Sequence, residues 1–216
     1  FLTALPSTVQ MSIAFTSIAR GNVAASVTSA AASNLLGIVL TPVLAGALLH
    51  AQGGGVSLSA IWKVVLQLLL PFVVGHALRP WLAHWAERRK LLVSWSDRLT
   101  IVLSVYSAFS AAVIDGVWHR IPVHTLLVTA LVCATMLATI MLFSFNGARL
   151  AGFPRGEQRS ALYCGTFKSV VSGVPMARIL FPSAEIGAMI LPLMMYHQLQ
   201  MMVSATLAPR QGKQAS

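Results

Sequence analysis

Acidic residues are nearly missing from this 216-residue chain: Asp and Glu total 5 against 15 Lys and Arg, and only 9% of positions are charged. A soluble domain carries about a quarter charged residues, so this chain cannot cover a water-facing surface and is not an ordinary soluble enzyme. Cysteine is equally scarce. Cys133 and Cys164 lie in apolar runs, reading as small buried hydrophobes and excluding a disulfide framework. Gly-x-Ser-x-Gly, His-Glu-x-x-His and paired cysteines are all absent, and no carboxylate falls at the centre of an apolar run. An intramembrane enzyme would therefore have no activated nucleophile and no metal centre.

What the chain does have is hydrophobic sequence, 56% of it, with a mean hydropathy of +0.77. At about 20 residues per span, its length allows roughly five to seven crossings and leaves no room for a separate soluble domain. A net charge of +10 and a pI near 10.9 would suit nucleic acid if the basic residues formed one face with interleaved aromatics. They fall instead in short clusters between apolar runs, so the expected partner is the lipid bilayer and not nucleic acid. The apolar run is already under way at Phe1, which reads as a fragment.

The expected fold is an all-α polytopic membrane protein. Residues 1–18 read as a helix interrupted at Leu5-Pro6-Ser7-Thr8, and Val23–Leu49 as a span ending in a glycine loop over 50–55. Leu58–Leu78 follows, then a basic stretch over 79–98 with Trp81, Trp85 and Trp95, suited to a short helix at the headgroup boundary. Further spans are expected at Leu99–Val117, Pro122–Phe145 and Ile186–Ala208. A second interrupted segment lies between the last two, at 157–181, with its break placed around Ser172-Gly173-Val174-Pro175. Counted over alternate loops, one side holds eleven Lys and Arg and the other two, which places the basic loops and the C-terminus in the cytoplasm, at the inner membrane.

Interrupted membrane helices point to a secondary transporter's binding site, because backbone groups left free at membrane depth must line a cavity or meet a ligand. A helix starting after Pro6 would present amide donors near the midplane, with Ser7 and Thr8 as capping hydroxyls and Gln10 and Ser12 along its polar face. In the second interrupted segment Lys168 is a charge deep in a span, expected near the free carbonyls of its own half-helix, and Tyr163, Thr166, Ser169 and Ser172 are candidate site residues around it. Small residues at spacing four, Gly21, Ala25, Ser29, Ser33, Gly37, Thr41 and Ala45, predict a closely packed partner for the second span, with Ser26, Thr28 and Asn34 as polar contacts to the site. Tyr196, His197, Gln198 and Gln200 form a polar belt in the last span.

Leu5-Pro-Ser-Thr-Val-Gln, Ile18-Ala-Arg-Gly-Asn-Val23 and Leu40-Thr-Pro-Val resemble the crossover region of the bile acid:sodium symporter superfamily. Cys164-Gly-Thr-Phe-Lys-Ser, Ser172-Gly-Val-Pro-Met-Ala and His197-Gln-Leu-Gln200 are similar to its bacterial, cotransporter 7-like branch. The resemblance covers essentially the whole chain. It implies the C-terminal part of a ten-helix transporter of two inverted repeats, whose fourth and ninth helices are broken and cross. Residues 1–57 would then be core helices, 58–121 panel helices with the basic connector at 79–98, and 122–216 core helices with a cytoplasmic tail. Carried over by position, Ser12 and Ser26 match hydroxyl ligands of a family sodium site. Other ligands of the family become Ile13, Ala30, Tyr163 and Phe167, none of them a good sodium ligand.

The function expected is secondary active transport of a small organic anion by alternating access, with sodium coupling left open. The alternative is a channel or a non-transporting membrane scaffold. No cofactor is expected beyond Na+ or H+ as coupling ion, and a monomer and a homodimer are equally compatible with the sequence.

Overall fold

Inside lipid the backbone has no water to bond, so a long apolar run satisfies its amides internally as a helix. The computed structural model describes residues 1–50, 58–114, 116, 122–180 and 183–214, and every regular element among them is helical. A single 3-10 turn, Leu2–Ala4, leads to α1 (Val9–Ile18) and α2 (Val23–His50). Then come α3 (Leu58–Ala77), the short α4 (Arg79–Arg88) and α5 (Lys90–Ile114). The chain ends in α6 (Val123–Leu150), α7 (Arg155–Thr166), α8 (Val170–Leu180) and α9 (Ser183–Lys213). The glycine loop within 51–57, and residues 117–121 with Asp115 and Arg120, lie outside the described residues.

α6 shows what solvent this fold is made for. Its 28 residues extend about 42 Å, enough to cross a bilayer. Leu131 is 68% exposed and Phe143 79% exposed on its outer face. Such a surface is unfavourable in water and ordinary against lipid tails. The inner faces make two cores. Phe15, Ala19, Leu162, Tyr163, Phe167 and Ala208 join α1, α7 and α9, and Cys133, Leu137 and Tyr196 join α6 to α9.

The first interruption lies where expected: the chain is non-helical from Leu5 to Thr8. The second does not. It falls at Phe167–Ser169, and α8 runs unbroken through Pro175. Ser169 Oγ accepts the Ser172 amide at 3.1 Å and starts the new helix there, so Pro175 removes one interior hydrogen bond without ending the helix. The basic stretch also divides differently. α4 ends at Arg88 and the long α5 already begins at Lys90, so only half of 79–98 is a separate short helix. The polar tail continues α9 to Lys213, held by Tyr163 Oη donating to Gln211 Oε1 at 2.9 Å.

Two chain reversals are made by left-handed residues. Arg20, with φ of 53°, ends α1: Gly21 N–H reaches back to Thr16 O at 2.8 Å and Arg20 N–H to Ser17 O at 3.0 Å. Gly152, with φ of 75°, ends α6 by the same pair of bonds, Phe153 N–H to Ala148 O and Gly152 N–H to Arg149 O, both at 3.1 Å. Arg159 Nη1 then ties α7 to the first reversal, donating to Ala19 O at 2.9 Å and Arg20 O at 3.2 Å.

Candidate functional site

The two interruptions lie against each other. Ser169 N–H donates to Pro6 O at 3.0 Å, and Thr8 Oγ1 donates to Lys168 O at 2.9 Å. Each break thus supplies the hydrogen bonds that the other lost when its helix stopped, which is how irregular backbone persists in an apolar bundle.

The remaining groups of the first break are met by α2. Ser7 N–H donates to Ser33 Oγ at 3.1 Å, Asn34 Nδ2 donates to Ser7 O at 2.7 Å, and Thr41 Oγ1 donates to Ala4 O at 2.6 Å. Ser33, Gly37 and Thr41 belong to the small-residue row, so its predicted partner is the broken segment itself. Gly37 is indispensable there, since a Cβ on it would lie 2.6 Å from Pro6 Cβ. Asn34 makes the polar contact to the site expected of it, and with Ser33 and Thr41 it props the break. Their sequence signal is a hydroxyl or amide at a position where packing alone would choose Ala.

The second break is met by α9. Gln200 pairs with both backbone groups of Lys168, accepting its N–H at Oε1 over 2.9 Å and donating from Nε2 to its carbonyl over 3.2 Å. His197 Nδ1 lies 2.8 Å from the same Nε2, and Tyr196 Oη donates to Thr166 O at 2.9 Å. The Lys168 ammonium reaches the other break instead of its own half-helix, donating to Thr3 O and Leu5 O at 3.0 Å each. The reason is geometric: α7 ends in an extended Phe167, which turns Lys168 toward the carbonyls closing the first turn. A cation meeting carbonyls at a helix C-terminal end is favourable in charge.

One polar group is left over. Ser7 is 3% exposed, and its hydroxyl is the buried side-chain oxygen or nitrogen without a hydrogen-bond partner among the described residues. Thr8 does not cap α1, since its hydroxyl is spent on Lys168 O. The first turn of α1 consequently keeps amides with no intrahelical acceptor next to an unpartnered hydroxyl.

The structure therefore brings together Pro6, Ser7, Thr8, Lys168, Ser169, His197 and Gln200, with Thr166 joined through its carbonyl. Other candidates are placed elsewhere. Ser12 Oγ donates to Thr8 O at 2.7 Å within α1, and Ser26 Oγ accepts from Thr16 Oγ1 at 3.1 Å with Cys164 Sγ at 3.0 Å. Tyr163 points away to Gln211 and stacks in the aromatic core, its ring centre 6.1 Å from that of Phe15. Ser172 serves the start of α8, and Gln10 and Gln198 are exposed.

The model of the SBF-like CPA transporter family matches residues 1–213. The chain is 47% identical over 214 residues to the protein of Escherichia coli (strain K12) named "Putative symporter YfeH", covering 99% of this chain and 64% of that one. An uncharacterized Pseudomonas aeruginosa protein, PA2026, is 49% identical with the same coverage of both chains. The Rattus norvegicus protein named sodium/bile acid cotransporter 7 is 29% identical over 95% of this chain and 61% of its own length. This chain thus spans less than two thirds of these relatives. A multi-pass apolar bundle with two interrupted helices back to back, matched over nearly all its length, belongs to the SBF-like CPA transporter family.

Proposed function

We propose that the chain forms the C-terminal part of a ten-helix, inverted-repeat secondary transporter that moves a small organic anion by alternating access. The segments interrupted at 5–8 and 167–169 act as its crossing helices and α3 with α5 as its panel. The transporter sits in the inner membrane with the arginine-rich end and the C-terminus cytoplasmic. The observation that carries this reading is the mutual bonding of the two breaks beside the unpartnered Ser7 hydroxyl. An anion at the start of α1 gains amide donors, that hydroxyl and the positive end of the helix. Both breaks belong to the core helices, so their shared bonds keep the anion site together while the core moves against α3 and α5.

In this reading Lys168 stands in for the coupling cation. Its ammonium holds the carbonyls of Thr3 and Leu5, groups of the kind that coordinate sodium in other transporters, and it does so without leaving the protein. Uptake of a labelled bile acid and of smaller organic anions into proteoliposomes of the full-length protein tests this. Replacing external sodium with choline is expected to leave uptake nearly unchanged, and Lys168→Ala to lower it at least about tenfold, the loss of one charge-assisted contact. Strict sodium dependence that survives Lys168→Ala would overturn the role of the lysine. Failure of external unlabelled anion to drive counterflow would overturn the carrier, since only a carrier reorients around bound ligand.

A further inference from the structure

Away from the breaks, at the arginine-rich end of the bundle, α6, α7 and α9 line a half-open pocket of about 420 Å³. Its walls carry Arg149 from the last turn of α6, Arg155 and Arg159 from α7, and Gln211 from α9, with Phe145 on the inner side. Arg155 and Arg159 are four residues apart and share one helix face. Among the described residues no carboxylate pairs with any of the three guanidiniums, and Glu157, the one acidic residue of α7, does not line the cavity. Arg159 spends Nη1 on the Ala19 and Arg20 carbonyls and keeps Nη2 and Nε. Gln211 turns its oxygen to Tyr163 Oη, which leaves its amide nitrogen as a further donor. The N-terminal turn of α7 opens at the same end and adds partial positive charge.

We propose that this cavity binds a phosphate group. One guanidinium satisfies a planar carboxylate bidentately; three guanidiniums on two helices converge on a tetrahedral anion with more oxygens to share. The volume lies within the range of small-molecule sites and exceeds what a bare phosphate fills, so the group arrives on a larger molecule with an apolar part against Phe145. Two sources have this chemistry. One is the headgroup of an anionic phospholipid, since the arginines end the span of α6 at headgroup depth; the other is a soluble organic phosphate.

The site is distinct from the breaks, and its occupancy has a route to them. Gln211 holds the hydroxyl of Tyr163, whose ring lies in the same cluster as Phe15 and Phe167, and Phe167 is adjacent to Lys168.

The full-length protein is examined in two arms, as wild type and as Arg149→Gln/Arg155→Gln. Both arginines are exposed and neither ties helices together. In phosphatidylcholine nanodiscs, binding of inorganic phosphate and of glycerol 3-phosphate is followed by thermal shift against chloride at equal ionic strength. In the second arm, native mass spectrometry counts phosphatidylglycerol retained from mixed phosphatidylglycerol and phosphatidylcholine micelles. Saturable binding in either arm, weakened on the order of a hundredfold in the double variant, is expected, each charged contact contributing roughly tenfold. Phosphatidylglycerol retention identifies the lipid source and a thermal shift with soluble phosphates identifies the free one. Arg149→Lys/Arg155→Lys keeps the charge but loses the bidentate fork, and an intermediate affinity is expected from it. No saturable binding in either arm, or equal binding by wild type and the glutamine variant, would overturn the proposal.

Discussion

At the scale of single residues, the interruptions depend on side chains that replace missing backbone hydrogen bonds. Asn34, Thr41, Thr8 and Gln200 each satisfy a carbonyl that a continuous helix would have bonded itself. A buried carbonyl left unpaired costs about 1–3 kcal/mol, which is why these polar residues persist in apolar helices. Gly37 acts by having no side chain. Gly37→Ala drives a methyl to 2.6 Å from Pro6 Cβ, and a loss of about 1–3 kcal/mol in equilibrium unfolding of the full-length protein in mixed micelles is expected. Gly75→Ala is the control. Nothing lies within 4 Å of a Cβ there, so the change is expected to be neutral or to add up to about 1 kcal/mol through helix propensity. Of these residues, Gly37 and Thr41 were legible as members of a small-residue row. What the row packs against was not, because spacing describes a surface and never names its partner.

At the scale of elements, starts and stops decide the architecture. α8 begins at Val170 because Ser169 Oγ takes the Ser172 amide and Gln200 and Thr8 occupy Lys168. The sequence drew attention to Pro175, a local breaker, while the actual break is imposed by partners 32 and 160 residues away. Ser169→Ala removes the cap and leaves the Ser169 N–H on Pro6 O, so it is expected to cost about 1 kcal/mol in the same unfolding measurement while transport continues. A larger loss with abolished transport would mean that the hydroxyl itself meets the ligand. The position of the first break was legible, since Pro6 has no N–H to give, but the capping expected of Ser7 and Thr8 was not, because Thr8 Oγ1 is taken by Lys168 O and Ser7 Oγ meets no partner among the described residues.

At the scale of the whole molecule, α8 and α9 are the meeting point: α3 and α5 pack on α8, α5 also packs on α9, α6 and α1 pack on its other parts, and α7 reaches it through Tyr163. Cationic residues concentrate at the end where α6 and α9 finish, and the charge bias of membrane loops is the ground for proposing that this end is cytoplasmic. With Cys133 and Cys164 replaced by Ala, Gln214→Cys, exposed at that end, is expected to react with an impermeant maleimide only in inverted vesicles. Labelling of intact cells would reverse the orientation. Solvent class, helical content, the first break and the charge asymmetry were determined by the sequence alone, because each follows from hydropathy or a local steric rule acting within one segment. The second break, the direction of the Lys168 ammonium, the isolation of the Ser7 hydroxyl and the convergence of Arg149 with Arg155 and Arg159 were decided only by tertiary structure. The second break and the Lys168 ammonium depend on atoms from distant segments, the Ser7 hydroxyl on none reaching it, and the arginines on how α6 packs against α7, all of which only packing decides.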